Sequence, residues 1–350
     1  MKKVFLVLVA AAVLFTGCKG KEGGKKTIVF VPKISGNAFF ETANDGAQAI
    51  GKELGFTVKY NGSPDAAVAN QVTIIRTAIS QGVDGISVSS LDSTALDSVM
   101  KEAMAAGIAV TTWDSDVSGD ARTVMVSQGT PDVLGKMLVD MSVQSLNERG
   151  KKADVDAIKY AWHYSQSTVA DQNSWRVSGE AYIKANFPNW VNVRTDNYYS
   201  NQDAELAITT GEAILKANEN IDLIICNDST ALPGQLQAAQ NLGYNKDKVT
   251  ITGFAPPNSI KPYARDGITS RWGLWDSGKQ GAIGVYLAYY IASGNKLKVG
   301  DSIDIPTVGK VTVEPNTILD PSAYTAENSG VVLLPERVVF TTENMDQYNF

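Results

Sequence analysis

From Thr27 onward, short β-branched runs alternate with amphipathic segments, and this alternation restricts the fold more than any other feature of the chain. It is the pattern of a parallel sheet covered on both faces by helices. Strands are expected at 27–31, 57–60, 85–88, 109–112 and 123–126. Between them, Val68, Val72, Ile75 and Ile79 fall at i, i+4, i+7 and i+11, the spacing of one buried helix face, and Gly82 ends that helix. The pattern restarts after Gln128-Gly129-Thr130-Pro131, with strands at 157–160, 191–194, 223–226 and 250–253 and helices at 173–186, 204–217 and 231–242. The class is α/β in two similar halves, which suits 350 residues once a short leader is set aside. A strand at 271–275, an apolar helix near 281–293, a peripheral hairpin over 301–316 and a late strand at 331–340 leave an uneven count. The chain is therefore expected to cross back between its halves.

The leader sets the compartment. Lys2 and Lys3 precede an unbroken apolar run from Val4 to Phe15, followed by Thr16-Gly17-Cys18, which is the layout of a secretory signal. The run is too short for a permanent membrane helix. Cys18 directly after Gly17 resembles the bacterial lipobox, in which that Cys is acylated and becomes the new N-terminus; Phe15 stands where the pattern usually has Leu. Residues 1–17 are thus expected to be a lipoprotein signal peptide, Cys18 the lipidation site, and 18–26, rich in Gly and Lys, a flexible tether. The folded body would work outside the cytoplasm, membrane-anchored. Cys226 closes the apolar run that begins at Ile221 and is expected to be a buried thiol.

Composition removes several function classes. One His (His163) and two Cys leave no cluster for zinc, haem or an iron–sulfur centre, so no metal and no cofactor is expected. A net charge of −6, which becomes −8 once Lys2 and Lys3 leave with the leader, argues against nucleic acid as a partner. No G-x-G-x-x-G follows the first strand and no GxxxxGK[ST] is present.

Ligands of open parallel sheets gather at the carboxyl ends of the strands. Here those positions hold Lys33, Asn37, Phe39 and Phe40 after the first strand and Trp113, Asp114 and Asp116 after the fourth. The second half adds Asp171, Gln172 and Asn173, then Asn227 and Asp228, then Trp275 and Asp276. Carboxylates and amides pair with adjacent hydroxyls while aromatic faces cover the C–H patches of a sugar ring, so the mixture suits a neutral, hydroxyl-rich ligand. Helix capping is the competing role for each Asp or Asn. Trp175 and Trp272 are expected in packing, and His163, with no nucleophile or metal ligand beside it, in a structural or rim position. Asp114 and Asp171 facing each other across a cleft would also serve a glycosidase.

With these residues in place, the chain resembles the type I periplasmic sugar-binding proteins of ABC transporters. SGNAFF and ICNDSTALPGQLQA resemble signatures of the ribose-type members. FVPK, TWDSD, SQGTP, ADQNSW, GLWD, DIPTVGKVTVEPN and VVLLPERVVF resemble the rhamnose-binding and autoinducer-2-binding (Lsr-type) subgroup. The resemblance implies two Rossmann-like lobes joined by three crossovers and closing by hinge motion on a ligand in the interlobe cleft, without covalent chemistry. The lobes would be 27–128 plus about 277–327 and 129–276 plus about 328–350. It also implies a monomer that delivers its ligand to a membrane permease with a partner ATPase. In the autoinducer-2 receptors a Lys, two Asp and a Gln match Lys33, Asp114, Asp171 and Gln172. Where those receptors have a Pro and an Ala, this chain has Asn227 and Ser229, whose side-chain donors and acceptors favour a sugar such as rhamnose, with autoinducer-2 as the alternative. Ala255 replaces the Asp that ribose-type members carry after GF, which argues against ribose.

Overall fold

Runs rich in Val, Ile and Thr become strands because their branched side chains pack well on a pleated surface. The computed structural model describes residues 24–194 and 196–350. The leader, Cys18 and most of the tether lie outside the described residues.

The first half builds β1 (Thr27–Val31), α1 (Ala38–Leu54), β2 (Thr57–Tyr60), α2 (Val68–Ser80), β3 (Gly85–Val88), α3 (Asp97–Ala105), β4 (Ala109–Trp113) and β5 (Val124–Ser127). The second half begins with α4 (Pro131–Glu148), β6 (Lys159–Tyr164), α5 (Ala170–Asn186), β7 (Val191–Asn192), β8 (Tyr198–Tyr199) and α6 (Ala204–Ala217). It continues with β9 (Leu223–Cys226), α7 (Ala231–Asn241), β10 (Thr250–Gly253), α8 (Pro257–Arg265) and β11 (Arg271–Leu274). The chain then forms α9 (Ser277–Ala292), the hairpin strands β12 (Ser302–Ile305) and β13 (Gly309–Thr312), β14 (Glu314–Pro315), β15 (Gly330–Leu333) and β16 (Val338–Thr341).

Two sheets result. The first runs β14-β15-β5-β4-β3-β1-β2 and is parallel except for β14. The second runs β10-β9-β6-β7 in parallel, with β8 also pairing β6. A bridge from Phe254 to Gly273 attaches the antiparallel pair β11-β16 to it. The chain passes between the two lobes through three connectors, at 128–130, 275–276 and 334–337.

The late strand expected as one element is two. Pro335 lacks the N–H that a continuous ladder requires, so the run breaks there. Gly330–Leu333 pairs with β5 in the first sheet and Val338–Thr341 with β11 in the second. The return to the second lobe therefore lies at 334–337 rather than near 328. The strand expected at 191–194 shortens to two residues, and β8 was not anticipated. The hairpin over 301–316 forms as β12-β13.

Strand β1 shows how the sheet is held: Ile28, Val29, Phe30 and Val31 are all buried, because helices cover both faces. Helices α1 and α9 approach on one of those faces through glycine. A Cβ at Gly46 would overlap the Gly278 carbonyl, and one at Gly281 would overlap the carbonyl of Ala43. No helix among the described residues is long and apolar enough to cross a membrane.

Candidate ligand-binding cleft

The strand ends of both sheets converge between the lobes. Lys33 stands two residues past β1 and is 2% exposed. Its ammonium lies 2.9 Å from Asp114 Oδ2 and 3.9 Å from Asp171 Oδ1. Burial alone would lower the Lys33 pKa, but the two carboxylates outweigh it and hold the group above its ordinary value. Asp114 follows β4 in a left-handed conformation, φ 61°, a region that Asp tolerates better than most residues. Ser89 Oγ donates to its Oδ2 at 2.7 Å.

Asp171 comes from the opposite lobe, in the first turn of α5. It receives the Ser115 hydroxyl and, at 3.2 Å, Gln128 Nε2. Burial pushes its carboxyl up to about 6; Lys33 pulls in the other direction and Asp114 adds to the rise.

The second wall is a network of neutral donors. Gln172 Oε1 accepts from the Ser165 N–H at 3.2 Å and hydroxyl at 2.5 Å, and its Nε2 donates to Asp228 Oδ2 at 3.2 Å. Asp228 Oδ1 accepts the N–H groups of Thr230 and Ala231 at 3.0 and 2.8 Å and the Ser200 hydroxyl at 3.3 Å, while Gln202 Nε2 reaches Oδ2 at 3.2 Å. These contacts tie Asp228 to the start of α7. Burial raises its pKa and the donors oppose that rise. Asn227 Nδ2 donates to the Gln172 carbonyl at 2.9 Å, and its buried Oδ1 has no protein partner.

An aromatic corner closes the rest. Trp275 makes edge contacts with Phe39, Trp175 and Phe254, at centroid distances of 5.8, 5.7 and 5.5 Å. Its Nε1 is satisfied by Gln280 Oε1 at 2.7 Å. The cavity between the lobes is partly open, with a free volume of about 20 Å³, and is polar at the Lys33, Asp114 and Asn227 end and aromatic at the other.

Nine of the expected residues line this cavity: Lys33, Phe39, Phe40, Asp114, Gln172, Asn227, Asp228, Ser229 and Trp275. Asp171 sits just beside it, against Lys33 and Gln128. Three expectations are corrected. Trp113 lies behind the lining, stacked on Phe30 at 4.4 Å, because β4 buries it in the first lobe's core. Asp276 is exposed and caps α9 by accepting the Lys279 N–H at 2.8 Å. Asn37 caps α1, its Oδ1 accepting the Phe39 N–H at 2.9 Å, and spans the lobes, with Nδ2 donating to Thr230 Oγ1 at 3.1 Å. Ser229 Oγ donates to that same Asn37 Oδ1 at 3.2 Å. Asn37 and Ser229 thus fasten the lobes in a closed conformation, helped by Thr168 Oγ1 donating to the Leu91 carbonyl at 3.1 Å.

Other acids and amides are structural. Asp116 pairs with Arg122 at 2.6 Å and Asn173 accepts from the Tyr164 hydroxyl at 2.7 Å. His163 is fully buried against Gln235, and burial lowers its pKa to about 4, a core position rather than a rim one. Trp272 packs on Phe340, as expected. Trp175, Gln202, Phe254 and Leu274 also line the cavity and were missed, Trp175 having been assigned to packing. Trp175 lies four residues beyond Asp171, so helical spacing already puts both on one face. Phe254 and Leu274 lie at strand ends, the rule that found the other candidates.

Comparisons with known proteins give the family and the fold. Residues 28–296 match a family model described as a periplasmic binding protein domain. The D-ribose/D-allose-binding protein of Pseudomonas aeruginosa is 28% identical over 319 residues, spanning 84% of this chain and 93% of that protein. The solved structure of LsrB from Clostridium saccharobutylicum in complex with AI-2 is 61% identical, with a TM-score of 0.92, and covers 93% of this chain and 100% of that one. A solute-binding protein from Clostridium phytofermentas with bound L-rhamnose shares the fold, with a TM-score of 0.82 at 21% identity, covering 93% of this chain and 98% of that one.

Proposed function

The chain belongs to the periplasmic binding protein family, and from that membership we propose that it captures autoinducer-2 (AI-2) between its two lobes for import. At the coarser level it is the solute-binding protein of a sugar ABC transporter, a transport receptor rather than a glycosidase, and it works outside the cytoplasm. The observation that carries the ligand reading is the AI-2 complex of a structure 61% identical to this chain over 93% of its length. The cleft is compatible with it: Lys33, Asp114, Asp171 and Gln172 gather charge-assisted donors and acceptors at one end of the cavity.

A rhamnose-like sugar is the second reading, supported by Asn227 Oδ1, a buried acceptor that a ligand hydroxyl would satisfy. Ser229 no longer adds to it, since its hydroxyl is engaged with Asn37. Calorimetric titration of the mature protein with the AI-2 precursor 4,5-dihydroxy-2,3-pentanedione, L-rhamnose and D-ribose separates the readings. Saturable binding of the precursor alone is the expected result; binding of rhamnose alone overturns the AI-2 reading.

Delivery to a membrane permease driven by its ATPase, action as a monomer, and anchoring through an acylated Cys18 complete the proposal. Cys18→Ser is expected to move the protein from the membrane fraction to the soluble one.

A further inference from the structure

One buried amide touches all that the three connectors bring together. Gln128, fully buried, is the first residue of the first connector. Its Nε2 donates to the Asp114 carbonyl and to Asp171 Oδ2, both at 3.2 Å, and so joins a carboxylate of the second lobe to the backbone of the first. Its Oε1 accepts from Gln280 Nε2 at 2.9 Å. Gln280 in turn accepts from the indole of Trp275, in the second connector. The backbone carbonyl of Gln128 accepts from Arg337 Nη1 at 2.5 Å, in the third.

The direction of this chain is fixed at both ends. An indole N–H can only donate, so the Gln280 oxygen must face Trp275 and its amide nitrogen must face Gln128. An ionised carboxylate can only accept, so the Gln128 nitrogen must face Asp171. Neither amide can flip without orphaning two buried groups. We infer that Gln128 is a positioning residue, which holds the Asp171 carboxylate and the Trp275 ring in register across the hinge, so that the polar and aromatic ends of the cavity assemble together on closure. The inference rests on the reading of this cleft as the ligand site.

Gln128→Met keeps the volume and the backbone bond to Arg337 while removing both amide links. The precursor 4,5-dihydroxy-2,3-pentanedione is titrated into wild type, Gln128→Met, Asp171→Asn and the double variant. Small-angle scattering follows the ligand-free lobe separation, and thermal melting follows the fold. Gln128→Met is expected to weaken binding by about tenfold, to enlarge the ligand-free radius of gyration, and to cost less than about threefold once Asp171→Asn is present, since the two act as one unit. An unchanged affinity with a lowered melting temperature, or fully additive losses, would overturn the inference. Should Gln128→Met fail to fold, Gln128→Glu retains the acceptor for Gln280 and turns the donor on Asp171 into a repulsion, with a larger loss expected and an unchanged affinity again overturning it. If wild type does not bind the precursor, it is the ligand reading that fails; scattering then decides the hinge role, an unchanged radius in Gln128→Met counting against it.

Discussion

Asp114 on the first lobe and Asp228 on the second both follow a parallel strand, both are buried, and both border the same cavity, yet their partners differ in kind. Asp114 faces a cation, Lys33, and accepts one hydroxyl. Asp228 accepts five neutral donors, from Thr230, Ala231, Ser200, Gln172 and Gln202. A carboxylate surrounded by amides and hydroxyls is a keystone whose lone pairs are spent on its own lobe. One held by a single lysine and one hydroxyl keeps capacity for a hydroxyl-bearing guest. The first wall of the cleft therefore presents charge, and the second presents a preassembled frame.

The largest test of this contrast is Asp228→Ala. It orphans five buried donors and is expected to lower stability by about 3–5 kcal/mol, read by urea unfolding. A loss under about 1 kcal/mol would place Asp228 with the ligand contacts instead. Asp114→Asn, whose side chain also tolerates the left-handed backbone and keeps an acceptor for Lys33, should lower ligand-free stability by less than Asp228→Ala does and weaken ligand binding by about 100-fold, since charge-assisted bonds are the strong ones. Calorimetry showing full affinity would erase the contrast from the other side.

A smaller effect concerns pH. Asp171 has a folded value near 6 against 3.8 for the free group. A carboxyl with a raised folded pKa stabilises the fold fully below its unfolded value, and that contribution disappears as pH climbs through the folded one. The ligand-free melting temperature should therefore decline between pH 4 and pH 7, by a few degrees more in wild type than in Asp171→Asn, on the order expected for one titrating group in a chain of this size. Equal slopes would mean that the carboxylate is not buried in the ligand-free protein. The smallest effect belongs to Ser229→Ala, which removes a single bond between the lobes and should change affinity by less than about threefold. A larger loss would return Ser229 to the ligand contacts.

Much of the first wall was legible in the sequence. Lys33 and Asp114 stand directly after apolar strands, and in a parallel sheet that position alone aims a side chain at the crevice. The same rule failed for Trp113, because the last residue of a strand still obeys the alternation that sends every second side chain into the core. It failed for Asp276 because capping and ligation demand the same residue type in the same place, and only the distance to the Lys279 N–H separates them. Gln202 had no local signal: it follows a two-residue strand and reaches the site through a left-handed turn, φ 62°. The interruption of the late strand was legible and overlooked, since Pro335 inside an apolar run is itself evidence of a break.

The interlocked glycines of α1 and α9 carry a mechanical consequence. Backbone wedged against backbone at Gly46 and Gly278 leaves no side chain to deform, so α9 is bolted to the first lobe from its opening turn. With α9 fixed to the first lobe and β11 to the second, the two residues 275–276 between them have to take up their share of any opening stroke within a very short span. Trp275 therefore sits on the axle itself, its ring touching Phe39 of one lobe and Trp175 and Phe254 of the other.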